Sequence, residues 1–196
     1  MSKVKLYVIS LFILLACALA FVQFLFFHEI RIESDGWLFK DPFFKLLPRV
    51  NCSFPIFLLT YGSLILYIIL ERKKPFFLTK LNLSYALLLL VRMITLSVIP
   101  LKIPESLIYL EDPFLNNLVY PGDIAGDLFF SGHTALIFIF FSISKRSIFA
   151  FLTLLMGAML MMQRVHYSID VIAAIPFAFA IVKSIEWILC RISVED

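Results

Sequence analysis

Charged residues are scarce in this chain, and their scarcity excludes a soluble globular domain. Only 16% of its 196 residues are charged, whereas 62% are hydrophobic and the mean hydropathy is +0.98. Soluble domains average about 25% charged and about 45–50% apolar residues. The composition therefore indicates an integral membrane protein, and the length suits a single domain over residues 1–196.

Cysteine is also rare, and its spacing is not that of a metal site or a disulfide framework. Cys17, Cys52 and Cys190 lie far apart, in or beside apolar runs. Free cysteine in such a setting behaves as a small buried hydrophobe. We therefore expect no metal ion and no other cofactor.

Six apolar runs approach the length that crosses a bilayer, which is about 20 residues with a tolerated range near 17–25. They cover residues 6–27, 54–70, 81–99, 131–144, 147–163 and 169–190. The fourth run is the shortest, and we expect residues 128–130 to extend it upstream. The sequence thus predicts an all-α, polytopic membrane protein with six transmembrane helices.

The first run has some features of a cleaved signal peptide. Lys3 and Lys5 precede it, and small residues occupy positions 16–18. It continues unbroken to Phe27, whereas the apolar core of a signal peptide spans about 7–15 residues. We therefore expect a retained membrane span.

Basic residues mark one side of this six-span arrangement. Cytoplasmic loops of membrane proteins carry an excess of Lys and Arg. The basic residues of the alternate connections and the two ends are Lys3, Lys5, Arg72, Lys73, Lys74, Lys80, Lys145, Arg146 and Arg191. The opposite loops carry no such excess. We therefore expect cytoplasmic N- and C-termini.

Two polar groups open spans that run inward from the non-cytoplasmic face. Ser131, Gly132 and His133 open the fourth span, and His166 with Asp170 opens the sixth. Helix N-termini present free N–H groups and a positive dipole end, which suits a phosphate. Serine is a good N-cap, and glycine lets the backbone approach a ligand closely. Both groups are predicted on the same membrane face.

His166 and Asp170 lie four residues apart, so on a helix they share one face, roughly 6 Å apart along the axis. A carboxylate that accepts one ring N–H leaves the other nitrogen free to attack, which makes His166 a candidate nucleophile. His133 can protonate the departing oxygen. Taken singly, either group could equally be the capped start of a helix with no role in catalysis. Their shared face favours one phosphoryl-transfer site.

Arg92 lies within the third span, where a charge needs an anionic partner or a wet cavity. Its planar fork suits a phosphate, and the alternatives are an ion pair with Asp170 or extension towards the outer interface. Three roles stay open for Asp127: a cap of the fourth span, an orienting partner of a histidine, or a contact with a cationic head group. Tyr167 can also be read as an interfacial aromatic.

Three segments carry a resemblance to a known family. Residues 126–134 (GDLFFSGHT) and 166–171 (HYSIDV) resemble the two signature motifs of the sphingomyelin synthase family, a branch of the type 2 phosphatidic acid phosphatase superfamily. Residues 92–100 (RMITLSVIP) are similar to the end of a further family motif. The resemblance covers roughly residues 85–185 and implies a phosphatidic-acid-phosphatase-like helical bundle.

The resemblance implies a two-step head-group transfer without a metal. His166, oriented by Asp170, would attack the phosphorus of a phospholipid donor such as phosphatidylcholine. Diacylglycerol would leave with help from His133, and the phosphocholine or phosphoethanolamine would pass to ceramide or a similar lipid alcohol. The residues expected to bind the substrate are Arg92, Asp127, Ser131, Gly132, Thr134 and Tyr167.

Two other functions remain possible at this stage. A lipid phosphate phosphatase of the same superfamily would use water as acceptor. Such enzymes usually carry a Lys-x6-Arg-Pro motif and an arginine six residues before the second histidine, but this chain has no Arg-Pro dipeptide and has Leu160 there. The second possible function is that of a non-catalytic scaffold or transporter. Transporter sites often lie at the bilayer midplane, whereas these polar groups cluster at one interface.

Overall fold

Six α-helices dominate the structure, a computed structural model that describes residues 3–110 and 126–194. They are α1 (Lys3–Asp35), α2 (Ser53–Glu71), α3 (Phe77–Val98), α4 (Gly132–Ser144), α5 (Ser147–Met162) and α6 (Ser168–Val194). A short 3-10 helix, η1 (Pro42–Lys45), lies between α1 and α2. Within the described ranges there is no β-strand, only an isolated bridge between Trp37 and Leu101. The all-α prediction is confirmed.

Each predicted apolar run coincides with one helix. Four helices, α1, α2, α3 and α6, are long and apolar enough to cross a membrane, whereas α4 and α5 are shorter apolar helices. The expected upstream extension of α4 is wrong, because residues 128–130 are not helical and α4 begins at Gly132. Its 13 residues rise roughly 20 Å at about 1.5 Å per residue.

The start of every even-numbered helix and the end of every odd-numbered one meet at one end of the bundle, which we call the site end. Backbone hydrogen bonds between connecting segments establish this arrangement. They join Trp37 N to Pro100 O, Val50 N to Met162 O, and Ser131 N to Asp170 O. The helices therefore alternate in direction along the chain.

The opposite end, which we call the basic end, is held by a buried carboxylate. Glu71 is fully buried at the end of α2 and pairs with Lys74 at 2.6 Å and with Arg146 at 2.9 Å. A buried charge without partners would be strongly destabilising, so these ion pairs fix the α2–α3 connection against the α4–α5 turn. Lys73 and Lys145 are exposed at the same end.

The main core is formed by the five helices α2 to α6, and α1 packs outside it. Tyr67 of α2 stacks on Phe140 of α4 at 4.9 Å between ring centroids, and both rings contact Phe149 of α5. A second, smaller cluster joins α1 to α3 and contains Cys17, Phe21, Leu25, Ala86, Leu89 and Leu96. The α1 members recur every four residues, so they form one stripe facing α3.

Gln163 fixes the turn between α5 and α6. Its side chain is fully buried. The amide nitrogen donates to Ser53 Oγ at 2.7 Å, Ile108 O at 3.3 Å and Tyr109 O at 3.1 Å, while its oxygen accepts from Cys52 N at 2.9 Å. One side chain thus ties the end of α5 to the start of α2 and to the chain after α3.

Candidate functional site

His166 and Asp170 lie together at the start of α6. His166 Nδ1 is 3.4 Å from Asp170 Oδ2, and the same oxygen accepts a hydrogen bond from Tyr167 N at 2.9 Å. His166 is 3% exposed and Asp170 is fully buried. The structure therefore brings together the two side chains that the sequence paired as nucleophile and orienting carboxylate.

The contact between these two side chains is close but is not yet a hydrogen bond. Within the described part of the chain, His166 Nδ1 and Asp170 Oδ1 are buried atoms that lack a hydrogen-bond partner. Burying such atoms unpaired is costly. Hydrogen bonds of catalytic residues are often long before substrate binds.

The start of α4 lies directly against the start of α6. Ser131 caps α4, because its Oγ accepts from Thr134 N at 3.3 Å, as the sequence predicted. Ser131 N also donates to Asp170 O at 3.1 Å. This hydrogen bond joins the segment that carries His133 to the segment that carries His166.

His133 and Thr134 in the first turn of α4 differ in their environments. His133 is partly buried, and its ring meets the ring of Phe57 from α2 edge-on at 6.0 Å. Thr134 is fully buried, and its Oγ1 has no hydrogen-bond partner among the residues that the structure describes. A role of Thr134 in binding substrate stays a prediction.

Arg92 of α3 reaches the same helix start and pairs with Asp127. Its Nη2 lies 2.5 Å from Asp127 Oδ1, and its Nε donates to Phe130 O at 3.0 Å. Arg92 is only 4% exposed. The counter-ion is therefore Asp127 rather than Asp170. The carboxylate of Asp127 pairs with Arg92, a partner not among the three roles left open, and a contact of Asp127 with a cationic head group stays a prediction.

Gly132 allows Arg92 to lie against α4. A Cβ atom added at Gly132 would stand 2.5 Å from Arg92 Nη1. The structure gives this glycine a reason that was not predicted, close approach of a guanidinium, while close approach of a ligand to the backbone stays a prediction. The guanidinium of Arg92, with its counter-ion Asp127, thus lies directly against the N-terminus of α4.

Tyr167 is a packing residue in this structure. It is 1% exposed, its hydroxyl donates to Lys102 O at 2.9 Å, and its ring stacks on Phe44 at 5.5 Å. Burial, reinforced by the charge of Asp170, raises the pKa of Tyr167 to about 12. The hydroxyl therefore stays protonated at neutral pH, and a role of Tyr167 in binding substrate remains a prediction.

Asp41 is a site residue that sequence reasoning missed. It is 7% exposed, and its Oδ2 accepts a hydrogen bond from Ser168 N, the first residue of α6. Its Oδ1 accepts from Phe43 N at 2.9 Å and caps η1. An aspartate before a proline is a local capping signal. Nothing in the sequence indicates its second partner, which lies 127 positions away.

Arg164 fastens the same loop from the other side. Its Nη2 donates to Phe44 O at 2.5 Å and to Leu47 O at 2.8 Å, and its guanidinium lies 4.3 Å from the ring centroid of Phe44. Burial lowers the pKa of Arg164 from its ordinary value, while nearby Asp41 acts in the opposite direction. The segment after α1 is therefore held over the turn that carries His166.

The fold and this site define a membrane protein with clustered polar residues at one end of a helical bundle. No group of three or more His, Cys, Asp or Glu side chains in the described ranges is placed to hold a metal ion. The chain matches no protein-family model, no curated protein and no solved structure.

Proposed function

We propose that this chain is a membrane lipid phosphotransferase. It moves a phospho-head-group, phosphocholine or phosphoethanolamine, from a glycerophospholipid to ceramide or a similar lipid alcohol and releases diacylglycerol. The observation that carries the proposal is the hydrogen bond from Ser131 N to Asp170 O. Through it, the two motif segments that resemble those of the sphingomyelin synthase family form one contiguous cluster.

The two helix starts differ in charge, and this difference supports different roles for them. Carboxylates of Asp41 and Asp170 accept the N–H groups at the start of α6. The start of α4 is capped by the neutral hydroxyl of Ser131, and Arg92 lies against it. An anion is attracted to a helix N-terminus that has no carboxylate cap and to a guanidinium, and here it would share Arg92 with the Asp127 carboxylate. The phosphate therefore binds at α4, and the nucleophile comes from α6.

The chemistry then needs only residues of this cluster. His166, oriented by Asp170, attacks phosphorus through Nε2. The bond from phosphorus to the glycerol oxygen breaks, and that oxygen takes a proton from His133. In the second step His133 takes the proton of the acceptor hydroxyl, whose oxygen attacks phosphorus and displaces His166. Arg92 stabilises the charge that develops on the phosphoryl oxygens.

The proposal includes a topology of six spans in a phosphatidic-acid-phosphatase-like bundle. The helices alternate in direction, and basic side chains such as Lys73 and Lys145 lie at the end opposite His166. Basic residues favour the cytoplasmic side. The site then opens on the non-cytoplasmic face, with both termini in the cytoplasm. There the donor and the acceptor can enter from the outer leaflet.

The test is the identity of the products. Purified protein receives phosphatidylcholine or phosphatidylethanolamine with a labelled head group, with and without ceramide, and the lipids are read by mass spectrometry. We expect diacylglycerol and a labelled phospho-sphingolipid that forms only with ceramide and is absent with His166→Ala. Free phosphate from phosphatidic acid, unaffected by ceramide, would instead identify a phosphatase. Absence of any product would favour a scaffold or transporter.

A further inference from the structure

We propose that Asp41 is a positioning residue that holds the His166–Asp170 turn in its reactive arrangement. Its effect on turnover rests on the proposed function, whereas its effect on His166 itself does not. Asp41 lies in the loop after α1, far in sequence from both residues. It contacts neither the substrate nor the reacting atoms and acts only through the backbone of α6.

The first turn of α6 depends on this external carboxylate. Ser168 N is the first N–H of the helix and is buried, with Ser168 7% exposed. Its partner is Asp41 Oδ2, while Tyr167 N takes Asp170 Oδ2. Each of the two adjacent N–H groups thus has its own carboxylate. An unsatisfied buried N–H is costly, so neither group stays unpaired if a substitute acceptor is near.

The nearest substitute acceptor is the carboxylate that orients His166. Without Asp41, Ser168 N would compete with Tyr167 N for Asp170, which already lies within the same turn. Asp170 Oδ2 would then move away from His166 Nδ1, now 3.4 Å distant. Asp41 therefore keeps Asp170 available to the imidazole by satisfying the neighbouring donor.

The loop that carries Asp41 is fastened well enough to serve this purpose. Asp41 Oδ1 holds Phe43 N, so both carboxylate oxygens are engaged and the rotamer is fixed. Arg164, two residues before His166, donates to Phe44 O and Leu47 O. The loop after α1 and the turn before α6 are thus joined at two separate places, by Asp41 and by Arg164. A rigid support of this kind is what precise placement of a reacting group requires.

The experiment compares Asp41→Ala and Asp41→Asn with Asn82→Ala. Asn82 is also buried, and its hydrogen bond to Ser10 Oγ at 3.2 Å lies towards the basic end, so this variant controls for lost stability. Two measurements are made per folded molecule. The first gives kcat and KM for head-group transfer, and the second gives the rate at which diethyl pyrocarbonate modifies His166, followed by peptide mass spectrometry. The second requires no turnover.

For Asp41→Ala we expect kcat to fall by up to about 100-fold with KM nearly unchanged, because misplacement of a reacting group costs rate rather than binding. We expect the modification rate of His166 to rise as the turn loosens. Asp41→Asn should be intermediate, because an amide has a single oxygen for two donors. Asn82→Ala should lower the melting temperature and leave kcat, KM and the His166 modification rate unchanged.

Other outcomes overturn the inference. It fails if Asp41→Ala keeps the parental His166 modification rate, or if Asn82→Ala changes that rate equally. A parental kcat per folded Asp41→Ala molecule would also reject it. If Asp41→Ala does not fold, Asp41→Asn takes its place. The inference then fails if Asp41→Asn and Asn82→Ala have the same His166 modification rate. If the parent transfers no head group, the proposed function fails, yet the modification rates still test the role of Asp41.

Discussion

Arg92 Nη2 and Asp127 Oδ1 lie 2.5 Å apart, so the arginine that a phosphate would need already has an internal anion. Its Nε is also engaged, by Phe130 O at 3.0 Å. The Nε–Nη2 edge of the guanidinium is therefore full before substrate arrives. A phosphate that binds there must share Nη2 with the carboxylate or displace it.

The first prediction follows from this competition. Asp127→Asn removes the competing charge, so we expect KM for the phospholipid donor to fall by up to about fivefold. That factor corresponds to about 1 kcal/mol, the upper range for a partly exposed ion pair, and the Asp127 side chain is 31% exposed. Donor saturation curves in mixed micelles measure it. A rise in KM would show instead that Asp127 helps Arg92 to bind the donor.

The second prediction concerns the contact between Gly132 and Arg92. Gly132→Ala places a methyl group 2.5 Å from Arg92 Nη1, so we expect the guanidinium to shift and turnover to fall at least about tenfold, since small misplacements near the reacting centre can cost up to about 100-fold. In an Arg92→Lys background the same substitution should cost much less, because contacting residues are not additive.

Gly62 provides the matched control for this experiment. A Cβ atom added there meets nothing within 4 Å. Alanine favours a helix over glycine by about 1 kcal/mol, so Gly62→Ala should keep full activity and raise the melting temperature slightly. Equal losses of activity in the two variants would mean that general helix packing, not Arg92, explains the effect at position 132.

Much of the fold was accessible from the sequence, because long apolar runs leave few alternatives to helices. Ser131 was predicted as the cap of α4 from its residue type and place. The start of α4 was misjudged, because Leu128 and the two phenylalanines after it are apolar and gave no sign that Phe130 O accepts from Arg92. The partner of a buried arginine depends on tertiary packing, which residue type alone does not reveal.

The partners of Asp41 show even more clearly that tertiary contacts cannot be predicted from residue type alone. Its local role as a cap of η1 follows from an Asp-Pro sequence, but its hydrogen bond to Ser168 N joins segments that no periodicity connects. Gln163 is similar, since its four contacts lie on segments more than 50 positions away. Polar side chains that link distant loops carry no sequence pattern, yet here they hold the candidate site.

The third prediction concerns topology. In a variant without the native cysteines, a cysteine at Leu46, which is 77% exposed near the site end, should react with a membrane-impermeant maleimide in intact cells. A cysteine at Lys73, exposed at the basic end, should react only after permeabilisation. Basic residues favour the cytoplasmic side, which gives this direction. The reverse labelling pattern would put His166 on the cytoplasmic face.

The last prediction concerns the nucleophile. His166→Ala should lower turnover by several orders of magnitude while the protein remains folded, because removal of a nucleophile abolishes the covalent route. Asp170→Asn should also be strongly impaired, since an amide can no longer hold Nδ1–H as an anion and favours the wrong ring tautomer. His133→Gln should slow both proton transfers.

Labelled donor without ceramide should leave acid-labile label on the parent protein and none on His166→Ala. Label that persists on His166→Ala would move the nucleophile elsewhere, and His133 would be the first alternative.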